Sequence, residues 1–168
     1  MAFTTILSAQ TLAEHLDDPN WLVIDARFTL DDEQWGRNEY ERAHIPGAIY
    51  ADLATDLSGP IIPGKTGRRP LPDIATFAKT LSDWGVGADT QVVVYDASGG
   101  LMAASRVWWM LRWAGHDAVA VLDGGWTSWT KEGRPVSSDA VQRQPTEFPL
   151  NERPQLFASL EDVDRVRL

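Results

Sequence analysis

The carboxylate of Asp96 stands at the point in this chain where chemistry is most easily arranged. It ends the apolar run Val92-Val93-Val94-Tyr95 and precedes Ala97-Ser98-Gly99-Gly100. An apolar run, an acid, small residues and then an amphipathic stretch over 101–114 describe a strand opening through a loop onto a helix N-terminus. Parallel α/β sheets gather ligands and reactive groups at such junctions, where the first N–H groups of the helix favour anions. Two uses follow for Asp96. It can accept backbone N–H bonds as a cap, worth roughly 0.5–2 kcal/mol, or act as a carboxylate nucleophile. The second use calls for another acid and a magnesium ion close by. Spacing offers Asp25, also at a strand end, but no Asp-x-Asp pair. Ser98-Gly99-Gly100 matches neither Gly-x-Gly-x-x-Gly nor a Walker loop, and residues 96–100 do not fit a Gly-x-Ser-x-Gly elbow.

His44 is the other side chain of chemical interest. It lies beside Glu41 and Arg42, ahead of Pro46-Gly47, with Asp31, Asp32 and Glu33 in the preceding polar stretch. An imidazole oriented by one of those acids could relay a proton; bonded to its own loop, it would instead fix the turn. His15 and His116 read as surface or helix-end residues, and three histidines so dispersed give no metal-ligand spacing. Arg106, on the helix after the Asp96 loop, has two uses with Arg112: pairing with nearby acids, or reaching toward a neighbouring domain.

The elements that must position these residues alternate along the chain. Ser8 with Leu12 and Leu16 opens a first helix, and residues 21–25 form a strand buried on both faces. A polar stretch over 28–37, a helical turn over 39–42 and a short strand over 49–51 follow. Residues 58–72 hold Pro60, Pro63, Gly64, Gly67, Pro70 and Pro72 and are read as irregular loop. The next helix starts at Asp73 and carries Ile74, Phe77, Leu81 and Trp84 on one stripe before Gly85 and Gly87 end it. Then come a strand over 91–95, a helix over 101–114 ended by Gly115, a strand over 118–122, and a helix that Asp123-Gly124-Gly125-Trp126 begins. Short strands alternating with helices mean a parallel sheet covered on both faces, an α/β fold.

Bulk properties set the class. At 168 residues the chain suits one core, and its net charge of −9 disfavours nucleic acid and acidic membrane surfaces. No run nears the roughly 18 apolar residues of a membrane span. Residues 1–7 resemble neither a secretory signal nor a transit peptide, so the expected location is cytoplasmic. The absence of cysteine excludes disulfides, thiolate chemistry and cysteine-bound zinc. The eight tryptophans fall in apolar periodic runs, as core and interface residues do. Toward the C-terminus, residues 144–158 read as a polar, proline-rich linker. Ser159 with Asp162 signals a new helix, whose stripe is Leu160, Val163, Val166 and Leu168. That helix is expected to open a second domain rather than fold back on the first.

Several segments together resemble the rhodanese (sulfurtransferase) family: Val23-Ile24-Asp25-Ala26-Arg27, His44-Ile45-Pro46-Gly47-Ala48, Val94-Tyr95-Asp96, Arg106-Val107-Trp108-Trp109 and Leu122-Asp123-Gly124-Gly125-Trp126. Their order and spacing over about residues 5–138 are those of the family. Tyr95-Asp96 with Arg106-Val107-Trp108-Trp109 is similar to the N-terminal domain of its two-domain thiosulfate and 3-mercaptopyruvate sulfurtransferases. The resemblance implies a three-layer α/β/α domain over 1–143 around a mostly parallel five-stranded sheet, with no cofactor. It also implies that Asp96 stands where the catalytic domain carries its cysteine, so that this domain is the non-catalytic half. Its partners would be the C-terminal catalytic domain and small anionic sulfur donors in a shared cleft. Proton transfer there would fall on His44, with Trp35 and Gly36 where its acid is first sought, and Phe28, Leu101, Met102 and Arg106 would line the cleft. A rival reading is a free-standing, cysteine-less module that holds a partner with the Asp96 loop or the Trp-rich surface. A phosphatase of this fold class would need the missing cysteine.

Overall fold

The computed structural model describes residues 2–167; Leu168, expected in the last apolar stripe, lies outside them. Five strands form one sheet: β1 (Ile6–Leu7), β2 (Trp21–Asp25), β3 (Ile49–Tyr50), β4 (Gln91–Tyr95) and β5 (Val119–Leu122). Their order is β1-β5-β4-β2-β3 and every pairing is parallel. The sheet is thus parallel throughout, where "mostly parallel" was expected.

Alternation along each strand divides two cores. Leu22 and Ile24 of β2 and Val92 and Val94 of β4 face α3 (Ile74–Asp83) and α4 (Ala103–Trp113), meeting Phe77, Leu81, Val107 and Met110. Val23, Val93 and Tyr95 face the other way, onto Leu12 of α1 (Ala9–Ala13) and Trp129 of α5 (Gly125–Lys131). Three layers result, because strands covered on both faces must be apolar at both parities. Caps set the helix starts: Ser8 Oγ accepts from Thr11 N, and Asp73 accepts from Ala75 N and Thr76 N.

Three elements depart most from the sequence reading; α1 also ends at Ala13, short of Leu16. β1 adds to the four strands read segment by segment, because two residues carry no alternation; it is recruited by Val121 N donating to Thr5 O and Asp123 N to Leu7 O. The helix α2 (Trp35–Arg42) begins four residues before the expected turn. A turn at Asp32, which accepts from Gln34 N on its side chain and from Trp35 N on its carbonyl, launches it early. And α4 starts at Ala103 rather than 101, since Gly99 and Gly100 (φ 68° and 89°) hold the chain in a loop conformation that breaks helix.

Residues 144–158 lie largely on the domain. Thr146 N and Phe148 N donate to the carbonyl and hydroxyl of Ser82, Asn151 N to Ala114 O, and Arg153 N to Trp113 O. Phe148 is buried in the α3–α4 core. Beyond a 3-10 turn (Pro154–Leu156), α6 (Leu160–Val166) has a complete Ser159–Asp162 capping box and no buried residue.

Candidate functional site

Asp96 leaves the C-terminal end of β4 buried, 1% exposed. Its Oδ1 accepts from Ser98 N and Gly100 N, both at 2.8 Å. Its Oδ2 accepts from Met102 N and Ala104 N, both at 3.1 Å. One carboxylate therefore closes the loop and caps α4, whose own N-cap residue, Met102, makes no side-chain cap bond. The N–H groups that would cradle an external anion already hold an internal one. Gly100 cannot bear a side chain here, because its Cβ would run into Val121. Trp126 N donates to Asp96 O, tying the Asp-Gly-Gly-Trp turn to the same loop.

Asp25 does not serve Asp96 as a second acid. Its Oδ2 accepts from Arg27 Nη2 and from the Tyr95 hydroxyl, each at 2.6 Å. Arg27 also donates through Nη2 to Ala43 O and lies 4.2 Å over the Trp126 ring. Burial opposes the Arg27 charge, yet the Asp25 carboxylate outweighs it and holds the guanidinium above its ordinary pKa. Burial, then the Asp25 charge, pushes the Tyr95 hydroxyl well above its usual range, so it stays a donor. The strand-end acid is consumed in a buried network.

His44 is buried as well. Its Nδ1 lies 2.7 Å from Tyr40 O, its ring stacks on Tyr40 at 4.1 Å, and its backbone exchanges two bonds with Ser137. Nε2 has no hydrogen-bond partner among the described residues. No hydrogen bond joins it to Asp31, Asp32 or Glu33; Glu33 pairs with Arg69 instead.

Four of the six residues singled out in the sequence do meet. Phe28, Leu101, Met102 and Arg106 line one hollow of about 310 Å³ with Leu30, Leu53, Ala103 and Arg69. Three loops build it, after β2, after β3 and after β4. Leu101 is 82% exposed and Leu30 56%, so the rim is apolar and open. Neither Asp96 nor His44 lines the hollow. Arg106 pairs with no acid: its Nε and Nη2 donate to Leu57 O, and Nη2 also reaches Arg69 O and Pro70 O. Burial, then the nearby Arg69 charge, lowers its pKa. Arg112 is the one near an acid, 3.8 Å from Asp117. Sequence reading missed Arg69, Leu30 and Leu53, which sit in aperiodic loops; the only local hint was the basic cluster Lys65, Arg68 and Arg69. No group of three or more metal-capable side chains gathers among the described residues. Nor is any described helix long and apolar enough to cross a membrane.

A parallel five-stranded α/β/α domain with a carboxylate-filled loop after its central strand defines the class. Residues 8–132 match the rhodanese-like domain, and the chain belongs to the rhodanese family. It is 45% identical over 149 residues to the probable 3-mercaptopyruvate sulfurtransferase of Pseudomonas aeruginosa, covering 88% of this chain and 52% of that protein. It is 34% identical over 168 residues to the thiosulfate sulfurtransferase of Cricetulus griseus, covering 96% and 54%. Among solved structures it resembles SseA of Escherichia coli, described as a 3-mercaptopyruvate sulfotransferase with the rhodanese fold. The TM-score is 0.81 at 35% identity, over 97% of this chain and 61% of that one. The chain thus spans about half the length of the curated relatives it matches.

Proposed function

We propose that this chain is the non-catalytic N-terminal half of a sulfurtransferase that moves sulfane sulfur from 3-mercaptopyruvate or thiosulfate to a thiophilic acceptor. The observation that carries the proposal is the Asp96 loop. Sulfur transfer in two steps needs a thiolate that attacks the donor, keeps its outer sulfur as a persulfide while the rest of the donor leaves, and yields that sulfur to cyanide or a thiol. This chain has no cysteine, and four backbone donors that would steady such an anion are spent on Asp96. A carboxylate cannot hold a persulfide, and its charge repels an anionic donor.

Sulfurtransferase relatives of about twice this length support a division of labour in which the thiolate comes from a C-terminal domain. The exposed apolar rim of Leu30, Leu101 and Met102 suits a face covered by that domain better than the polar surface of a free-standing module. The body of this half, read from the sequence as residues 1–143, would then extend through the packed segment to Arg153, with 159–168 the opening of the next. His44 fixes the turn through Nδ1; the proton-transfer duty that the family resemblance gives it would require its buried, unpartnered Nε2 to be uncovered toward the shared cleft.

The test is turnover. The 168-residue chain alone should transfer no sulfur from either donor to cyanide above background, whereas the intact two-domain protein should. Sulfur transfer by the cysteine-free chain itself would refute the reading.

A further inference from the structure

His44 stands between two peptide planes, and each N–H and C=O of both planes is held. In the plane before it, His44 N donates to Ser137 O at 2.8 Å and Ala43 O accepts from Arg27 Nη2 at 2.7 Å. In the plane after it, His44 O accepts from Ser137 N at 2.9 Å and Ile45 N donates to the Tyr95 hydroxyl at 3.2 Å. Peptide groups are planar, so fixing both planes fixes φ and ψ of the residue between them and the direction of its Cα–Cβ bond. Nδ1, 2.7 Å from Tyr40 O, and the stack on the Tyr40 ring then set the side-chain rotation. The imidazole is held in one orientation.

Two of the four anchors are side chains, and one carboxylate governs both. Asp25 Oδ2 accepts from Arg27 Nη2 and from the Tyr95 hydroxyl, while Asp25 Oδ1 accepts from Arg27 N. Arg27 Nε donates to the same carboxylate. Asp25, Arg27 and Tyr95 are all 1% exposed or less. They come from the ends of β2 and β4 and converge on a turn outside the five-stranded sheet. A buried ion pair adds little net stability over apolar packing of the same volume; what this one supplies is direction. The direction has an object. A carbonyl oxygen only accepts, so Nδ1 of the neutral ring carries the proton and Nε2 the lone pair. That lone pair is buried and has no partner among the described residues.

We propose that Asp25, Arg27 and Tyr95 are positioning residues, which together aim the His44 imidazole and keep its Nε2 lone pair in one place for proton transfer. Arg27 and Tyr95 are the arms and Asp25 is the hub. The inference rests on the sulfurtransferase reading only for the use of that lone pair. The aim itself belongs to this chain and is read without any sulfur donor.

The experiment reads imidazole nitrogen signals of the 168-residue chain by NMR, at a pH where the rings are neutral, with His15 and His116 as internal controls. Wild-type His44 should be the Nδ1–H tautomer. Tyr95→Phe removes the Ile45 anchor; Arg27→Lys keeps a charge beside Asp25 but loses the fork that joins it to Ala43 O. In each variant the ratio of Nδ1–H to Nε2–H at His44 should fall about two- to tenfold, the worth of one ordinary hydrogen bond. His15 and His116 should keep their ratios. The Trp129 indole N–H, bonded to Pro135 O, reports an intact fold. In the intact two-domain protein both variants should lower kcat with little change in KM. An Nε2–H tautomer in the wild type would overturn the proposal, as would an unchanged ratio in a variant that keeps the Trp129 signal. So would equal changes at all three histidines, or a shifted ratio with kcat unchanged. Absent turnover in the intact wild type would instead overturn the sulfurtransferase reading, and the tautomer ratios would still decide the aim.

Discussion

Asp96 shows how one side chain can remove a chemistry while completing a fold. Its two oxygens accept four backbone N–H bonds in a site only 1% exposed. Alanine at this position would strand those donors in a buried loop and uncap α4. Asp96→Ala should therefore lose about 2–4 kcal/mol of stability, measured by urea unfolding, because unsatisfied buried polar groups carry their full desolvation penalty. A loss below about 0.5 kcal/mol would mean that the loop finds other partners. That an acid stands at this junction was legible in the sequence, since strand, loop and helix are contiguous there. Which of its two uses prevails became clear from the four bonds. His44 was legible only as a motif. Its stacking on Tyr40, four residues back, is local, but its pairing with Ser137 depends on the return of a distant segment.

Among the elements, the segment over 144–153 changes most between sequence and structure. Prolines and polar residues gave it the composition of a linker. Yet Phe148 is 7% exposed against α3 and α4, and the N–H groups of Thr146 and Phe148 donate to Ser82, that of Asn151 to Ala114 and that of Arg153 to Trp113. Phe148→Ala should cost about 3–5 kcal/mol, as deletion of a buried aromatic ring does; a change within about 0.5 kcal/mol would leave the segment a tether. The start of α2 and the whole of β1 are hidden in the sequence for related reasons. Each is too short or too polar to show a period, and each is fixed by partners elsewhere: Gly36 packs directly on the Arg27 carbonyl, where a Cβ would clash, and β1 pairs with β5. The long regular elements, β2, β4 and α3, announced themselves through alternation, helical stripe and cap.

For the molecule as a whole, stability should depend on pH through His116, buried beneath the docked segment with Nε2 2.8 Å from Thr90 O. Burial lowers its pKa below the ordinary 6.5. Between 6.5 and that lower value the unfolded chain binds the proton more readily than the native one. The stabilising contribution is thus complete above pH 6.5 and fades as pH falls through the native value. Wild type should lose stability relative to His116→Gln as pH falls below about 6.5, as read from urea midpoints; parallel curves would contradict this. Comparing the two proteins cancels Asp56, which burial shifts up and which acts in the opposite sense. At this scale, too, the division between sequence and structure is plain. Local patterning along the chain is enough to read the α/β class, the covered parallel sheet, the capped helices and an acid in the loop after the central strand, because periodicity and capping act between near neighbours. It takes the folded structure to show that Arg106 clasps the loop before Pro70, that Arg69 faces an apolar hollow, that β1 adds an edge to the sheet and that Phe148 of a proline-rich segment enters the core. Those outcomes depend on contacts between residues dozens of positions apart, and such contacts leave no periodic trace along the chain.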